Sequence, residues 1–217
     1  MDKNKKLVIF DLDGTLADTL EDLADAVNYG LEKLGYPVQK LENYKRFVGN
    51  GVLKLCERAL PDDKKFDTAK LHSLFEEFYR VHYLDKTREY DGISKLLKKL
   101  AENGSDIAVA TNKPQNFARE IVSKLFKDIC FIKVLGGCSD RAKKPSPEII
   151  NEIISGGIYD EIYMIGDSDV DIITAKNAGI KSIGCLWGFR GKEELENSGA
   201  DYIVEHASEI LDIIIDK

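Results

Sequence analysis

Phe10-Asp11-Leu12-Asp13-Gly14-Thr15 follows directly on the apolar run Leu7-Val8-Ile9. An uninterrupted apolar run with β-branched residues suits a strand of a parallel sheet buried on both faces. In open α/β sheets, ligands bind beyond the carboxyl ends of the strands. Two aspartates at that place, followed by a glycine that permits a tight turn, can bind a hard cation through oxygen. Asp and Gly are also ordinary turn formers after a strand, so the hexapeptide alone leaves both readings open.

Outward from this stretch the same grammar repeats. Further strands are expected at Ile107–Ala110, Phe131–Leu135, Ile162–Ile165, Ser182–Leu186 and Tyr202–Val204. Helical patterns lie between them, near Ile93–Glu102, Pro114–Phe126, Pro147–Ile154 and Ser168–Asn177. Strand-helix-strand repetition implies right-handed crossovers and a doubly wound, Rossmann-like α/β core. One interval breaks the rhythm. Leu20, Leu23, Ala24, Val27, Leu31 and Leu34 form a single helical stripe. Asp18 or Thr19 can cap its start and Gly35 can end it. Further helices are expected near Tyr44–Phe47, Val52–Leu60 and Thr68–Tyr83, and no convincing strand occurs between Ala17 and Asp85. The expected organisation is a core of residues 1–16 and 86–217 with a helical insert, residues 17–85.

Three more stretches follow core elements. Ile165-Gly166-Asp167-Ser168-Asp169-Val170-Asp171 again puts acids where a strand ends. The helix macrodipole accounts for Asp169 or Asp171 taken singly. It does not account for acids at two strand ends that could share one crevice, where like charges are costly unless a cation neutralises them. Ala110-Thr111-Asn112-Lys113-Pro114 offers a hydroxyl and helix-opening amides, a phosphate cradle or plain helix-start chemistry. Lys143-Lys144-Pro145 holds a lysine restricted by the following proline, a fixed point charge or a solvated basic pair.

The chain has 217 residues, a formal net charge of −7 and a hydrophobic content of 43%. That length and composition support a self-sufficient core and argue against a disordered or fibrous chain. An acidic chain lacks the basic face of a nucleic-acid binder, so a site for anions must build positive charge locally. Cys56, Cys130, Cys138 and Cys185 are scattered and read as reduced thiols. The charged start Met-Asp-Lys-Asn-Lys-Lys runs into an apolar stretch too short for a signal segment, and no membrane span is visible. A cytoplasmic protein is expected. His72, His82 and His206 show no zinc pattern, and the hydrolase motifs G-x-S-x-G and H-E-x-x-H and the Walker A loop are missing. Phe75, Phe78, Tyr79 and Tyr83 have helical spacing and read as packing within the insert.

Taken together and in this order, the four motifs resemble the haloacid dehalogenase-like hydrolase superfamily, in particular its phosphoglycolate-phosphatase-like branch. The resemblance spans almost the whole chain. It implies a core sheet of order 3-2-1-4-5 and makes the helical insert a mobile cap. By position it implies that Asp11 is the nucleophile and Asp13 the general acid/base. Thr111, Asn112 and Lys144 correspond to phosphate-binding residues. Mg²⁺ is the implied cofactor, with Asp11, Asp13 and Asp167 as the metal set and Asp171 supporting it. Gly49, Asn50 and Gly51 match a cap loop pointed at the substrate, and Trp187-Gly188-Phe189-Arg190-Gly191 also resembles that branch.

The activity implied is a Mg²⁺-dependent phosphatase that hydrolyses a small phosphorylated metabolite through an aspartyl-phosphate on Asp11. Phosphoglycolate is the first candidate; nucleotides, pyrophosphate and sugar phosphates stay open. An acid at Asp13 favours phosphate esters over the superfamily's dehalogenases and phosphonate hydrolases. Thr19-Leu20-Glu21-Asp22-Leu23 lacks the cap histidine of the sugar-phosphate mutases, which favours water as acceptor. A non-catalytic phospho-acceptor module needs neither Asp13 nor a cap of this size. Neither nucleic acid nor membrane is an expected partner, and the chain is expected as a monomer or homodimer.

Overall fold

A computed structural model describes residues 5–215; the segment 1–4, part of the charged start read above, lies outside them. Six parallel strands form the central sheet. They are β1 (Lys6–Phe10), β4 (Asp106–Pro114), β5 (Lys133–Gly137), β6 (Glu161–Gly166), β7 (Lys181–Cys185) and β8 (Tyr202–Val204). Their order across the sheet is β5-β4-β1-β6-β7-β8. Counted as core strands alone this is 3-2-1-4-5 with a sixth strand added at the β7 edge. β1 is central, and its Val8 pairs with Ile107 on one side and Tyr163 on the other. Leu7 to Phe10 are fully buried, which is why this strand shows no alternation in the sequence.

Helices cover both faces: α5 (Ile93–Glu102), α6 (Gln115–Leu125), α7 (Glu148–Ile154), α8 (Asp169–Ala178), α9 (Lys192–Asn197) and α10 (Glu209–Ile214). One apolar layer joins Val8, Phe10, Ile107 and Val109 to Leu96, Leu97, Ile121 and Ile210. The opposite layer joins Leu7, Ile9, Ala108 and Met164 to Ile149, Ile150 and Ile153. The alternation of β1 between these layers follows from the strand's period of two.

The segment after β1 carries α1 (Leu20–Lys33), α2 (Leu41–Phe47), α3 (Val52–Ala59), a 3-10 turn (Asp62–Asp67) and α4 (Thr68–His82). Their apolar faces form a cluster of their own around Leu23, Val27, Tyr44, Leu71, Phe75 and Tyr79. Phe117 of α6 and Phe189 reach this cluster from the sheet side. The chains entering and leaving the helical segment run side by side as a short antiparallel pair, β2 (Ala17–Asp18) and β3 (Arg88–Glu89). The sequence pattern predicts no strand there, because two residues are too few to show a period.

Three local expectations change. Thr19 occupies the N-cap position of α1, but its hydroxyl donates to Asp13 Oδ1 at 2.7 Å instead of to the helix. β4 does not stop at Ala110: it continues through a bulge to Pro114, which pairs with Gly137. The first turn of α6 therefore opens at Gln115, four residues beyond Thr111. β5 likewise runs two residues further than its apolar pattern, through Gly136 and Gly137. A Cβ on Gly136 would come within 2.6 Å of the Lys113 carbonyl oxygen, and one on Gly137 within 3.0 Å of that of Asn112. These glycines weaken the strand pattern and also let the bulge of β4 pack against β5.

Candidate active site

The carboxyl ends of β1, β4 and β6 meet at one cavity beneath the helical segment. Asp11, Asp13, Thr111, Asn112, Lys113, Asp167, Tyr79 and Arg190 line it, together with Gly49 and Gly51 of the cap loop. Asn50 does not line it, although both of its glycine neighbours do. Gly49 and Gly51 have φ of 116° and 87°, values that L side chains rarely adopt, so the loop shows backbone to the cavity.

Asp11, Asp167 and Asp171 are all buried, and each offers an oxygen within 4.8 Å of the others. One ammonium faces this group. Lys144 Nζ lies 3.0 Å from Asp11 Oδ1 and 2.6 Å from Asp171 Oδ1. Burial works against its charge, but Asp11 and Asp171 outweigh it and hold Lys144 above its ordinary value. The Lys144 ammonium is the partner of the buried Asp11 Oδ1, which has no other among the described residues. Burial, reinforced by Asp171 and Asp13 and opposed by Lys144, pushes the Asp11 carboxyl up to about 7. Burial and the charges of Asp171 and Asp11 raise Asp167 well above the carboxylate range. Asp167 relies on neutral donors: the Phe189 amide at 2.7 Å and the Thr15 hydroxyl at 3.3 Å. Three buried carboxylates against one ammonium form a donor set that fits a hard divalent cation.

Asp171 is fixed from the helix side. It is N3 of α8, and its Oδ2 accepts from the Ser168 amide at 3.2 Å and hydroxyl at 2.8 Å, a capping box. The motif glycines make room for the acids. A Cβ on Gly166 would meet Asp171 Cβ at 2.2 Å, and one on Gly188 would meet Asp167 Cβ at 2.3 Å and the Gly14 carbonyl oxygen at 2.4 Å. Gly188→Ala is therefore expected to displace Asp167. We expect destabilisation of about 1–3 kcal/mol from overpacking. The metal concentration for half-maximal activity should rise at least ~10-fold, as when a supporting contact of a metal ligand is lost. Thermal unfolding and a metal titration check this; an unchanged titration would show that Asp167 does not depend on the close approach.

Asp13 contributes no oxygen to the three-carboxylate group. Its Oδ1 accepts from Thr19 Oγ1 at 2.7 Å and from Lys113 Nζ at 3.0 Å. Lys113 is buried, yet the charge of Asp13 outweighs that penalty and raises its proton affinity. The Tyr79 ring lies against the same ammonium, 5.0 Å from its centroid. Tyr79 also meets Phe117 edge to face at 4.9 Å, so this member of the aromatic stripe seals the cavity as well as packing the cap.

Asn112 acts on backbone. Its Nδ2 donates to the Gly49 and Lys144 carbonyls at 2.9 and 3.0 Å, and its Oδ1 accepts from the Lys144 amide at 2.9 Å. Both amide hydrogens are thereby used, which positions Lys144 and ties down the cap loop. Thr111 is buried on the cavity wall. Lys113, Tyr79 and Thr19 are not legible as site residues in the sequence, and Arg190 stands in the Trp187–Gly191 stretch that carries part of the resemblance, without a role of its own there. Lys113 stands inside a quoted motif with no signal to separate it from its neighbours, and the others become relevant only through tertiary contact.

Comparison with known proteins agrees with this geometry. Residues 8–185 match the model of a family described as haloacid dehalogenase-like hydrolase. The phosphoglycolate phosphatase of Vibrio parahaemolyticus is 35% identical over 96% of both chains. That of Mannheimia succiniciproducens is 33% identical over 99% of this chain and 100% of its own. A solved structure from Lactobacillus delbrueckii subsp. bulgaricus, provisionally described as a phosphoglycolate phosphatase, is 30% identical and superposes with a TM-score of 0.90. It covers 97% of this chain and 98% of its own. The chain belongs to the haloacid dehalogenase-like hydrolase family.

Proposed function

We propose that the protein is a Mg²⁺-dependent phosphatase for a small phosphate monoester, with phosphoglycolate, the substrate named for its relatives, as the preferred one. The observation that carries this reading is the pairing of an under-neutralised carboxylate group around Asp11 with a separate acid, Asp13, in the same cavity. A cation site alone needs no second acid, and a phospho-acceptor module needs no enclosed cavity.

Asp11 attacks phosphorus in line, forming the Asp11–phosphorus bond while the ester oxygen–phosphorus bond breaks. Asp13 gives its proton to the departing oxygen. It then takes one from the water that attacks the aspartyl-phosphate, which frees Asp11 and releases inorganic phosphate. Lys144 offsets the charge of the nucleophile and Thr111 donates to a phosphoryl oxygen. Asp11 and Asp167, backed by Asp171, would hold Mg²⁺, which supplies positive charge for the phosphoryl group.

Leu23, Val48, Val52, Leu55 and Tyr79 of the helical segment line the cavity opposite the motif residues, so the leaving group sits between core and cap. Among the described residues no helix is long and apolar enough to cross a membrane. We take the cytoplasm as its place and a monomer or homodimer as its state.

The test is phosphate release from phosphoglycolate, nucleoside monophosphates, pyrophosphate and sugar phosphates, each with Mg²⁺. Phosphoglycolate should lead in kcat/KM. No release from any of them would end the phosphatase reading. A leading nucleotide would end the substrate assignment alone.

A further inference from the structure

Arg190 lies on the loop between β7 and α9, one residue beyond the Phe189 amide that holds Asp167, and lines the cavity. Its side chain is 12% exposed. Nε pairs with Glu194 Oε1 at 3.1 Å. Nη2 donates to the Val48 carbonyl at 3.0 Å, immediately before the Gly49-Asn50-Gly51 loop. Nη1 is buried and has no hydrogen-bond partner among the described residues. A buried guanidinium donor left unmade is costly, and native proteins satisfy such groups with solvent, ion or ligand.

Two further cations approach the same cap loop. Arg58 of α3 donates to the Phe47 carbonyl at 2.9 Å, and Arg58 and Arg190 both approach the Arg46 carbonyl at 3.4 Å. Lys143 reaches the same loop: a Cβ on Gly51 would lie 2.7 Å from its Nζ. Glu194 answers the charge of Arg190 through Nε and leaves Nη1 unpaired, while burial and the neighbouring Arg190 lower the proton affinity of Arg58. The phosphate has its own partners at Asp11, Lys144 and Thr111, on the sheet side of the cavity. Of the cations that line the cavity, Lys113 is paired with Asp13 and Arg190 keeps an unused donor.

We propose that Arg190 is the specificity-determining residue that reads an anionic leaving group, with Nη1 donating to a substrate carboxylate. A planar fork suits this role, because one guanidinium edge binds the carboxylate while the other holds the Val48 carbonyl. Anion binding and cap position then share one side chain. An ester without the carboxylate leaves Nη1 unpaired, and a site built to bind a polar group discriminates strongly against a substrate that lacks it. The inference rests on the phosphatase reading and adds to it the chemical class of the leaving group and the residue that selects it.

The experiment compares phosphoglycolate with 2-hydroxyethyl phosphate, which replaces the carboxylate by a neutral hydroxymethyl group. Wild-type protein should favour phosphoglycolate in kcat/KM by at least ~30-fold. In Arg190→Gln that ratio should fall by at least ~10-fold, and Arg190→Lys, which keeps the charge and loses the fork, should fall between the two. Circular dichroism and thermal unfolding check that each variant is folded. If Arg190→Gln does not fold, Arg190→Lys decides, with an expected fall of at least ~3-fold. An unchanged ratio with both rates depressed would overturn the proposal and leave Arg190 as a cap tether alone. Equal use of the two esters by wild-type protein would overturn it too, with the phosphatase reading intact. Turnover of neither ester, nor of any other phosphate ester, would remove the phosphatase reading and this inference with it.

Discussion

Asp11→Asn is expected to lower turnover at least ~1000-fold and, in the presence of chelator, to raise the melting temperature. The first effect follows from chemistry: an amide has no anionic oxygen with which to attack phosphorus, and loss of a covalent nucleophile costs several powers of ten. The second follows from burial. The Asp11 carboxyl is pushed up to about 7 in the folded protein, whereas an unfolded chain holds aspartate near ~3.9. A folded value above the unfolded one means that ionisation opposes folding. The penalty is absent below about pH 4, grows as pH rises and is complete above about pH 7. Asparagine removes it and leaves Lys144 paired with Asp171. At ~1.4 kcal/mol per pH unit between ~3.9 and about 7, the gain should be on the order of 4 kcal/mol above neutral pH, or ~8–16 °C for a chain of this size. It should shrink towards pH 4. Saturating Mg²⁺ should narrow it as well, since a ligand that binds only the folded wild-type site stabilises it by mass action. Melting curves at several pH values, with and without metal, check this. A variant that melts lower than wild type in chelator at pH 8 would show that Asp11 is neutralised by something other than an added cation.

The sheet is legible in the sequence because its strands are buried on both faces. Leu7 to Phe10, Ile107 to Ala110 and Met164 to Ile165 are all buried, so each reads as an unbroken apolar run between turn formers. The α1 stripe is legible for the complementary reason: Leu20, Leu23, Ala24, Val27 and Leu31 share one buried face. Expectation and structure part where local pattern and tertiary need diverge. Gly136 and Gly137 look like loop, yet they are strand, because a side chain there would collide with the β4 bulge. Thr19 looks like a helix cap, yet its hydroxyl serves Asp13, a residue six positions back.

The site divides in the same way. Asp11, Asp13, Asp167 and Asp171 announce themselves because acids after apolar strands have few other reasons to cluster. Residues that hold those acids in place give no such signal. Phe189 contributes only its backbone amide to Asp167, which any residue but proline could supply. Tyr79 has the spacing of a packing residue and is one; that its ring also covers Lys113 depends on how α4 docks over β4. Arg190 belongs to the Trp187–Gly191 stretch that carries part of the resemblance, but that stretch gives it no role until its Nη1 is found buried and unpaired.

Removal of divalent metal should reduce turnover to below about 1% of the Mg²⁺ rate, and Ca²⁺ should inhibit instead of restoring it. With one ammonium for three buried carboxylates, Asp11 is held partly protonated at neutral pH, and a phosphate approaching it adds further negative charge. Both effects oppose attack, and both are relieved by a cation among Asp11, Asp167 and Asp171. The ions differ in what they ask of Asp11. Mg²⁺ keeps six ligands at about 2.0–2.1 Å and binds one carboxylate oxygen, which leaves the other for phosphorus. Ca²⁺ takes six to eight oxygens at about 2.3–2.6 Å and accepts both oxygens of one carboxylate. Asp11 Oδ1 is already in contact with Lys144 at 3.0 Å, so engagement of both oxygens by the metal would leave none for attack. The assay is turnover after exhaustive chelation, then with Mg²⁺, with Ca²⁺, and with Mg²⁺ against rising Ca²⁺. Calcium should also raise the melting temperature while it blocks turnover, which separates occupation of the site from support of the reaction. Full activity in chelator would remove the cation from the chemistry; equal rates with the two ions would show that Asp11 keeps a free oxygen whichever is bound.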